Sequence, residues 1–210
     1  MVTFDSIAGV PVHYDRQSHS DYGTRGRPSS FQAKREFVRK LDQAFDQLWG
    51  YLGVAEVITT AGFYVDKPGW HRKGKAMDLD GIFWPDREFV ASKFTEQPIL
   101  YLAVESCLRL YNGTILDYFY NKYHRDHLHI QDDNRDVFLP SSASQTFYLQ
   151  AVLNFIYGED LGIDGVYGPI TYEATQRVFD ALDLDMGQIS GHWHRFLKLT
   201  AQEAVKKLKT

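Results

Sequence analysis

Two short segments far apart in the sequence constrain this chain most, because each alternates apolar residues with residues of metal-ligating type: Met77-Asp78-Leu79-Asp80-Gly81-Ile82 and His127-Leu128-His129-Ile130. Successive side chains of a strand point to opposite faces. A strand over each segment therefore puts Asp78 with Asp80, and His127 with His129, on a polar face, and turns Met77, Leu79, Leu128 and Ile130 towards a core. If two such strands are neighbours with their polar faces turned the same way, Asp78 and His129 come within ligand reach. His71 must then enter from the turn before the first strand, where Gly74 lets the chain fold back without steric cost. Two imidazoles and one carboxylate make three ligands of a tetrahedral zinc site and leave the fourth position to water, so a catalytic zinc held by His71, Asp78 and His129 is expected.

An isolated H-x-H is a weak signal, and the chain contains a second one, His192 and His194, with no H-x6-D element upstream in its own segment. The first pair gains its meaning from His71, Gly74 and Asp78. A general base for amide hydrolysis has to stand within hydrogen-bond reach of the attacking water. His127 and Asp126 are the candidates; alternation turns His127 to the metal side and favours it, while Asp126 stays open if the strand begins only at His127. His124 is expected near the site as a donor to the transition state. Asp80 reads as an outer hydrogen-bond partner of the ligands or as a turn residue before Gly81. Cys107 lies in the apolar run Ile99 to Leu108 and reads as a buried, inert thiol, and a single cysteine excludes an intramolecular disulfide.

The H-x6-D element followed by H-x-H resembles the zinc peptidases that cut bacterial cell-wall peptides: the D-Ala-D-Ala carboxypeptidases, the L,D-acting endolysin peptidases and the penicillin-insensitive murein endopeptidases. The run Asn121-Lys122-Tyr123-His124-Arg125-Asp126-His127-Leu128-His129 is most similar to the extensin-like branch, with its N-x-x-H-x-D-H-x-H pattern. The resemblance covers roughly residues 30 to 135 and implies that His71, Asp78 and His129 bind zinc. It also keeps Asp126 in play as the base, because relatives carry an acidic residue three positions before the last zinc histidine. One departure stands out: relatives have an Arg after a strand upstream of the first zinc histidine, where it contacts substrate, and here Thr59-Thr60-Ala61-Gly62-Phe63-Tyr64 puts Tyr64 in that place. Tyr64, Lys67, Lys73 and Lys75 are the candidate substitutes, with Tyr64 and Lys73 foremost.

The order of elements predicts an α+β fold, an antiparallel sheet with flanking helices that carries the zinc site. Gln17 to Ser30 is polar and Gly-, Ser- and Arg-rich, which makes residues 1–31 an N-terminal arm. Phe37, Val38, Leu41, Phe45, Leu48, Trp49 and Leu52 follow helical spacing up to the stop at Gly53. A strand over Val54 to Val65, a helix over Pro98 to Tyr111 and a strand over Thr114 to Tyr120 follow. The composition then shifts through Asp132-Asp133-Asn134-Arg135-Asp136 to Pro140-Ser141-Ser142, so that a peptidase domain of residues 1–138 is followed by a linker at 139–144 and a small three-helix domain at 145–210. Thr200 with Glu203 offers a capping box for a last helix.

The second unit resembles the peptidoglycan-binding type 1 module over roughly residues 145 to 182, on Leu149-Gln150-Ala151-Val152-Leu153-Asn154, the loop Asp164-Gly165-Val166-Tyr167-Gly168-Pro169-Ile170-Thr171, Ala174 and Val178-Phe179. Taken together, the two resemblances imply a zinc-dependent peptidoglycan hydrolase acting at a D-Ala-containing bond, with bacterial peptidoglycan as its partner. A wall-binding protein that keeps the zinc fold without catalysis is the alternative. At 210 residues and 44% hydrophobic content the chain can bury one good core plus a smaller unit, and its formal net charge of −4 argues against nucleic acid as a partner. No run of about 18 apolar residues is present, and residues 1–9 lack the basic and apolar regions of a signal peptide, so action on the cell wall after phage-type release or delivery by a secretion machine is expected.

Overall fold

The computed structural model describes residues 1–16, 23–66, 68–133 and 137–209. In chain order the elements are β1 (Val2–Phe4), β2 (Ser6–Ile7), β3 (Val10–Tyr14), β4 (Arg27–Pro28), β5 (Phe31–Ala33), α1 (Arg35–Leu52), β6 (Val57–Gly62), β7 (Ala76–Phe83), β8 (Glu88–Val90), α2 (Pro98–Arg109), β9 (Thr114–Leu116), β10 (Leu128–Gln131), α3 (Ala143–Phe155), α4 (Pro169–Ala181) and α5 (Ile189–Lys207). Among the described residues this is an α+β fold with an eight-stranded sheet, in the order β2-β3-β6-β7-β10-β9 with β4 beside β3 and β8 beside β7, and a two-stranded β1-β5 pair.

The expected antiparallel sheet is in fact mixed. β3 runs parallel to β6 while the other pairings are antiparallel. Parallel neighbours need a crossover long enough to bring the chain back to the same end, and α1 lies in the connection from β3 to β6. Residues 6–14, read from sequence as part of an arm, thus enter the sheet as β2 and β3, while β1 pairs with β5. Part of the arm, residues 17–22, lies outside the described residues.

α1 forms where the apolar spacing predicts. Phe37, Leu41, Ala44, Phe45, Leu48, Trp49 and Leu52 are all buried, and Gly53 ends the helix at φ +83°, its N–H donating to Trp49 O. α2 begins with Pro98 at its first turn, where a missing N–H costs nothing. Cys107 on α2 is buried, and burial pushes its thiol up to about 12, an inert group.

No separate three-helix domain is seen among the described residues. α5 packs along α2, and the buried side chains of α1, α2, the sheet, α3, α4 and α5 join in one continuous core. The region between the sheet and α3 is fastened as well. Phe138 is buried against Trp193 and Tyr167, and the Gln145 side chain accepts from Leu139 N and donates to Val137 O. The Thr200–Glu203 capping box is not a helix start: Thr200 is buried inside α5, and its hydroxyl bonds the Tyr157 hydroxyl. A Ser/Thr-x-x-Glu pattern marks a start only where the preceding turn is not helical, and here packing against Tyr157 carries the helix through.

Candidate metal centre

β7 and β10 are antiparallel neighbours in a register that sets His129 opposite Asp78. Alternation then does what the sequence demands: Met77, Leu79, Leu128 and Ile130 are fully buried in the core, and Asp78 and His129 stand on the opposite face. On the other side of β7 the pairing with β6 is interrupted between Thr59 and Gly62. Such bulges re-aim side chains at sites. The Thr60 hydroxyl fills the gap, donating to Asp78 O at 2.6 Å and accepting from Gly62 N at 3.0 Å, which fixes the backbone that carries Asp78.

His71 arrives from the turn before β7. Gly74, at φ +66°, closes that turn with its N–H on His71 O at 2.8 Å. The side chains meet at Asp78 Oδ1, with His129 Nδ1 at 2.7 Å, His71 Nε2 at 3.2 Å and His127 Nε2 at 3.6 Å. A tetrahedron with metal–ligand bonds of about 2.0–2.1 Å has ligand–ligand edges of about 3.3 Å. The His71 and His127 separations match such an edge, and His129 would retreat from Asp78 by roughly half an ångström to share an ion with it. Two overlapping groups could hold a metal ion: His71, Asp78 and His129, and His124, His127 and His129, with the ligand atoms of each within 4.8 Å of one another.

The outer contacts suit ligands. His71 Nδ1 donates to the Phe63 carbonyl and Nε2 faces Asp78, so an ion bound there would take the place of the proton that Nε2 otherwise shares with the carboxylate. His127 Nδ1 bonds Asp126 Oδ1 at 2.7 Å and His124 Nδ1 bonds Asn121 Oδ1 at 3.0 Å. Burial disfavours the ionised Asp78 carboxylate, but hydrogen bonds from His129 and His71 outweigh it and hold the group well below the usual carboxylate range. Burial also opposes charge on His71, and its bonds to Asp78 and Phe63 raise its pKa nonetheless. His124 is driven down to about 4 by burial and by His127 and His129, so it is neutral near pH 7.

Sequence reasoning missed Arg16. It lies just past β3, and its guanidinium grips both oxygens of the buried Asp80 (Nε to Oδ1 and Oδ2 at 3.2 and 3.1 Å, Nη2 to Oδ1 at 2.6 Å) while Nη1 donates to Asp126 Oδ2 at 2.8 Å. Burial pushes the Asp80 carboxyl up to about 7 against the pull of Arg16. The result is a chain of contacts, Asp80 to Arg16 to Asp126 to His127, that ends beside Asp78. A lone arginine 64 residues before its partner carries no periodic signal, and only the parallel β3–β6 pairing brings it here.

The other expected residues fall as follows. β10 begins at Leu128, so His127 and Asp126 precede the strand; His127 faces Asp78, and Asp126 has both oxygens engaged by His127 and Arg16. Tyr64 is exposed, and Lys73 lays its ammonium 4.2 Å above the Trp70 ring. Lys75 is drawn away to Asp132, which Lys40 also holds. Lys67 lies outside the described residues. Comparison with protein families, with curated proteins and with solved structures gives no match to this chain.

Proposed function

We propose that this chain is a zinc-dependent peptidoglycan hydrolase that cleaves an amide bond in stem peptides or their cross-links, at a D-Ala-containing bond. The observation that carries the reading is the convergence of His71, Asp78 and His129 on one point, with His71 at a tetrahedral edge from Asp78 and His129 a small shift from one. Peptidoglycan as substrate rests on the likeness of H-x6-D, N-x-x-H-x-D-H-x-H and the D-G-x-x-G-P-x-T loop to wall-degrading and wall-binding proteins.

Zinc bound there would polarise the scissile carbonyl and lower the pKa of the attacking water. The chain's own residues would do the rest. His127, held through Nδ1 by Asp126, presents Nε2 as the base, and Arg16 fixes Asp126 in turn. His124, neutral and with its Nδ1–H on Asn121 Oδ1, has an unprotonated Nε2, so it would have to take up a proton there before it could donate to the oxygen that gains charge.

The C-terminal helices are read as the part that holds the wall. The Asp164–Thr171 loop is built around the buried Gln150 amide, which accepts from Asp164 N and Gly165 N and donates to Asp164 and Thr171. Val166 on that loop and Ile170 in the first turn of α4 are left exposed. The second reading, a wall-binding protein without catalysis, draws on the exposed Tyr64 where relatives carry a substrate-binding arginine. Peptidoglycan incubated with the zinc-loaded protein and analysed by mass spectrometry decides between the two. New peptide ends absent with His129→Ala and with chelator support the peptidase; sacculus binding without any product supports the alternative.

A further inference from the structure

Beside the metal group lies a cavity of about 380 Å³ that the proposed chemistry does not use. Its floor is the same sheet face. Leu116 of β9 sits opposite His129 of β10, and one side-chain row further, about 7 Å along the strands, Thr114 sits opposite Gln131. Tyr120 joins the two spaces: it lines the cavity, and its ring meets His124 edge-on at 5.6 Å. The far wall is residues 141–144, the segment read from sequence as the end of a linker.

The lining is uncharged and rich in hydrogen-bonding groups. Gln131 Nε2 and Thr114 Oγ1 both donate to Asp133 Oδ2, at 3.2 and 2.6 Å, which leaves the Gln131 carbonyl oxygen free to accept from a ligand. Among the described residues, no lysine, arginine or histidine lines the cavity to hold an anionic group. Resting on the peptidase reading, we propose that this cavity is the substrate subsite next to the metal group and takes a neutral, amide- or hydroxyl-bearing segment of the polymer against the face of Tyr120. Two parts of peptidoglycan carry that chemistry, the sugar to which the stem is attached and the neighbouring peptide. Residues 141–144 thereby set substrate preference.

Ala143 and Ser141 are exposed on the cavity wall, so Ala143→Phe and Ser141→Trp fill the space without touching the core or the histidines. Calorimetric titration of the full chain, with zinc and with chelator, uses three probes: the disaccharide-linked stem peptide, the free stem peptide and the disaccharide alone. Both variants are expected to keep the wild-type circular dichroism and zinc content and to weaken binding by about tenfold or more. Loss confined to probes that carry the disaccharide names the sugar as occupant; loss with the free peptide names the peptide. Wild-type affinity in both folded variants, or no binding of any probe to the wild-type chain, overturns the proposal. Hydrolysis by the wild-type chain is read separately. Product formation with unaltered binding in the variants refutes the subsite alone, whereas variant-sensitive binding without any product refutes the peptidase reading alone.

Discussion

Asp78 Oδ1 is the atom on which the site is built, and it is reached by three imidazoles from two sides of the chain. His127 differs from His71 and His129 in being held by a second carboxylate, Asp126, through Nδ1, so its proposed role is proton transfer. His127→Ala should therefore keep bound zinc but lose about 10²–10⁴-fold in kcat, and Asp126→Asn should lose about 10–100-fold; zinc analysis beside kinetics separates the two effects. Arg16 makes a different prediction. Asp80 is 1% exposed, and removing its partner strands a buried carboxylate. Arg16→Met should cost about 3–5 kcal/mol in urea unfolding, and adding Asp80→Asn should restore part of that loss; an unchanged midpoint in the single variant would contradict the pairing.

At the scale of elements, α2, β9 and α3 are joined by a buried charged group. Arg109 of α2 bonds Glu105 Oε1 and the carbonyls of Ile115 and Ser144, and lies 4.0 Å from Asp117. Two carboxyls beside one guanidinium keep one proton between them. Burial pushes both carboxyls up, Glu105 to about 8 and Asp117 only to about 6, because Arg109 and the bonds that Asp117 accepts from Phe119 N and Tyr120 N favour its charged form. A carboxyl whose folded pKa lies above its unfolded value binds more protons when folded. Its contribution is full below about pH 4.5 and is lost as pH rises towards 8, at no more than about 1.4 kcal/mol per pH unit. Glu105→Gln cannot lose a proton. Its melting temperature relative to the wild-type chain should rise between pH 5 and pH 8, and a difference independent of pH would contradict the shared proton. Elements were legible where one period dominates. α1 reads from its 3.6-residue spacing, and β7 and β10 read from strict alternation. β9 stops at Leu116, well short of the expected Tyr120, because Asp117 takes the amides of Phe119 and Tyr120 as a turn, a contact without any apolar pattern.

The whole molecule departs furthest from the reading of its sequence. Composition divides the chain near residue 140, yet α5 returns to pack on α2, and that contact between distant helices has no local signature. The site was legible in its ligands because register follows from alternation; Arg16 was not, because it depends on a strand crossing from the other end of the chain. One continuous core predicts one cooperative unfolding transition, with fluorescence and circular dichroism coincident. Two separated transitions would mean that the helices after residue 144 fold by themselves. The proposed chemistry depends on a metal held at Asp78, and zinc binding by calorimetry on the metal-stripped chain tests that most directly. The account predicts one equivalent bound by the wild-type chain, lost in His71→Ala, Asp78→Asn and His129→Ala and retained in Arg16→Lys. Undiminished binding in those three folded variants, or none in the wild-type chain, would contradict it.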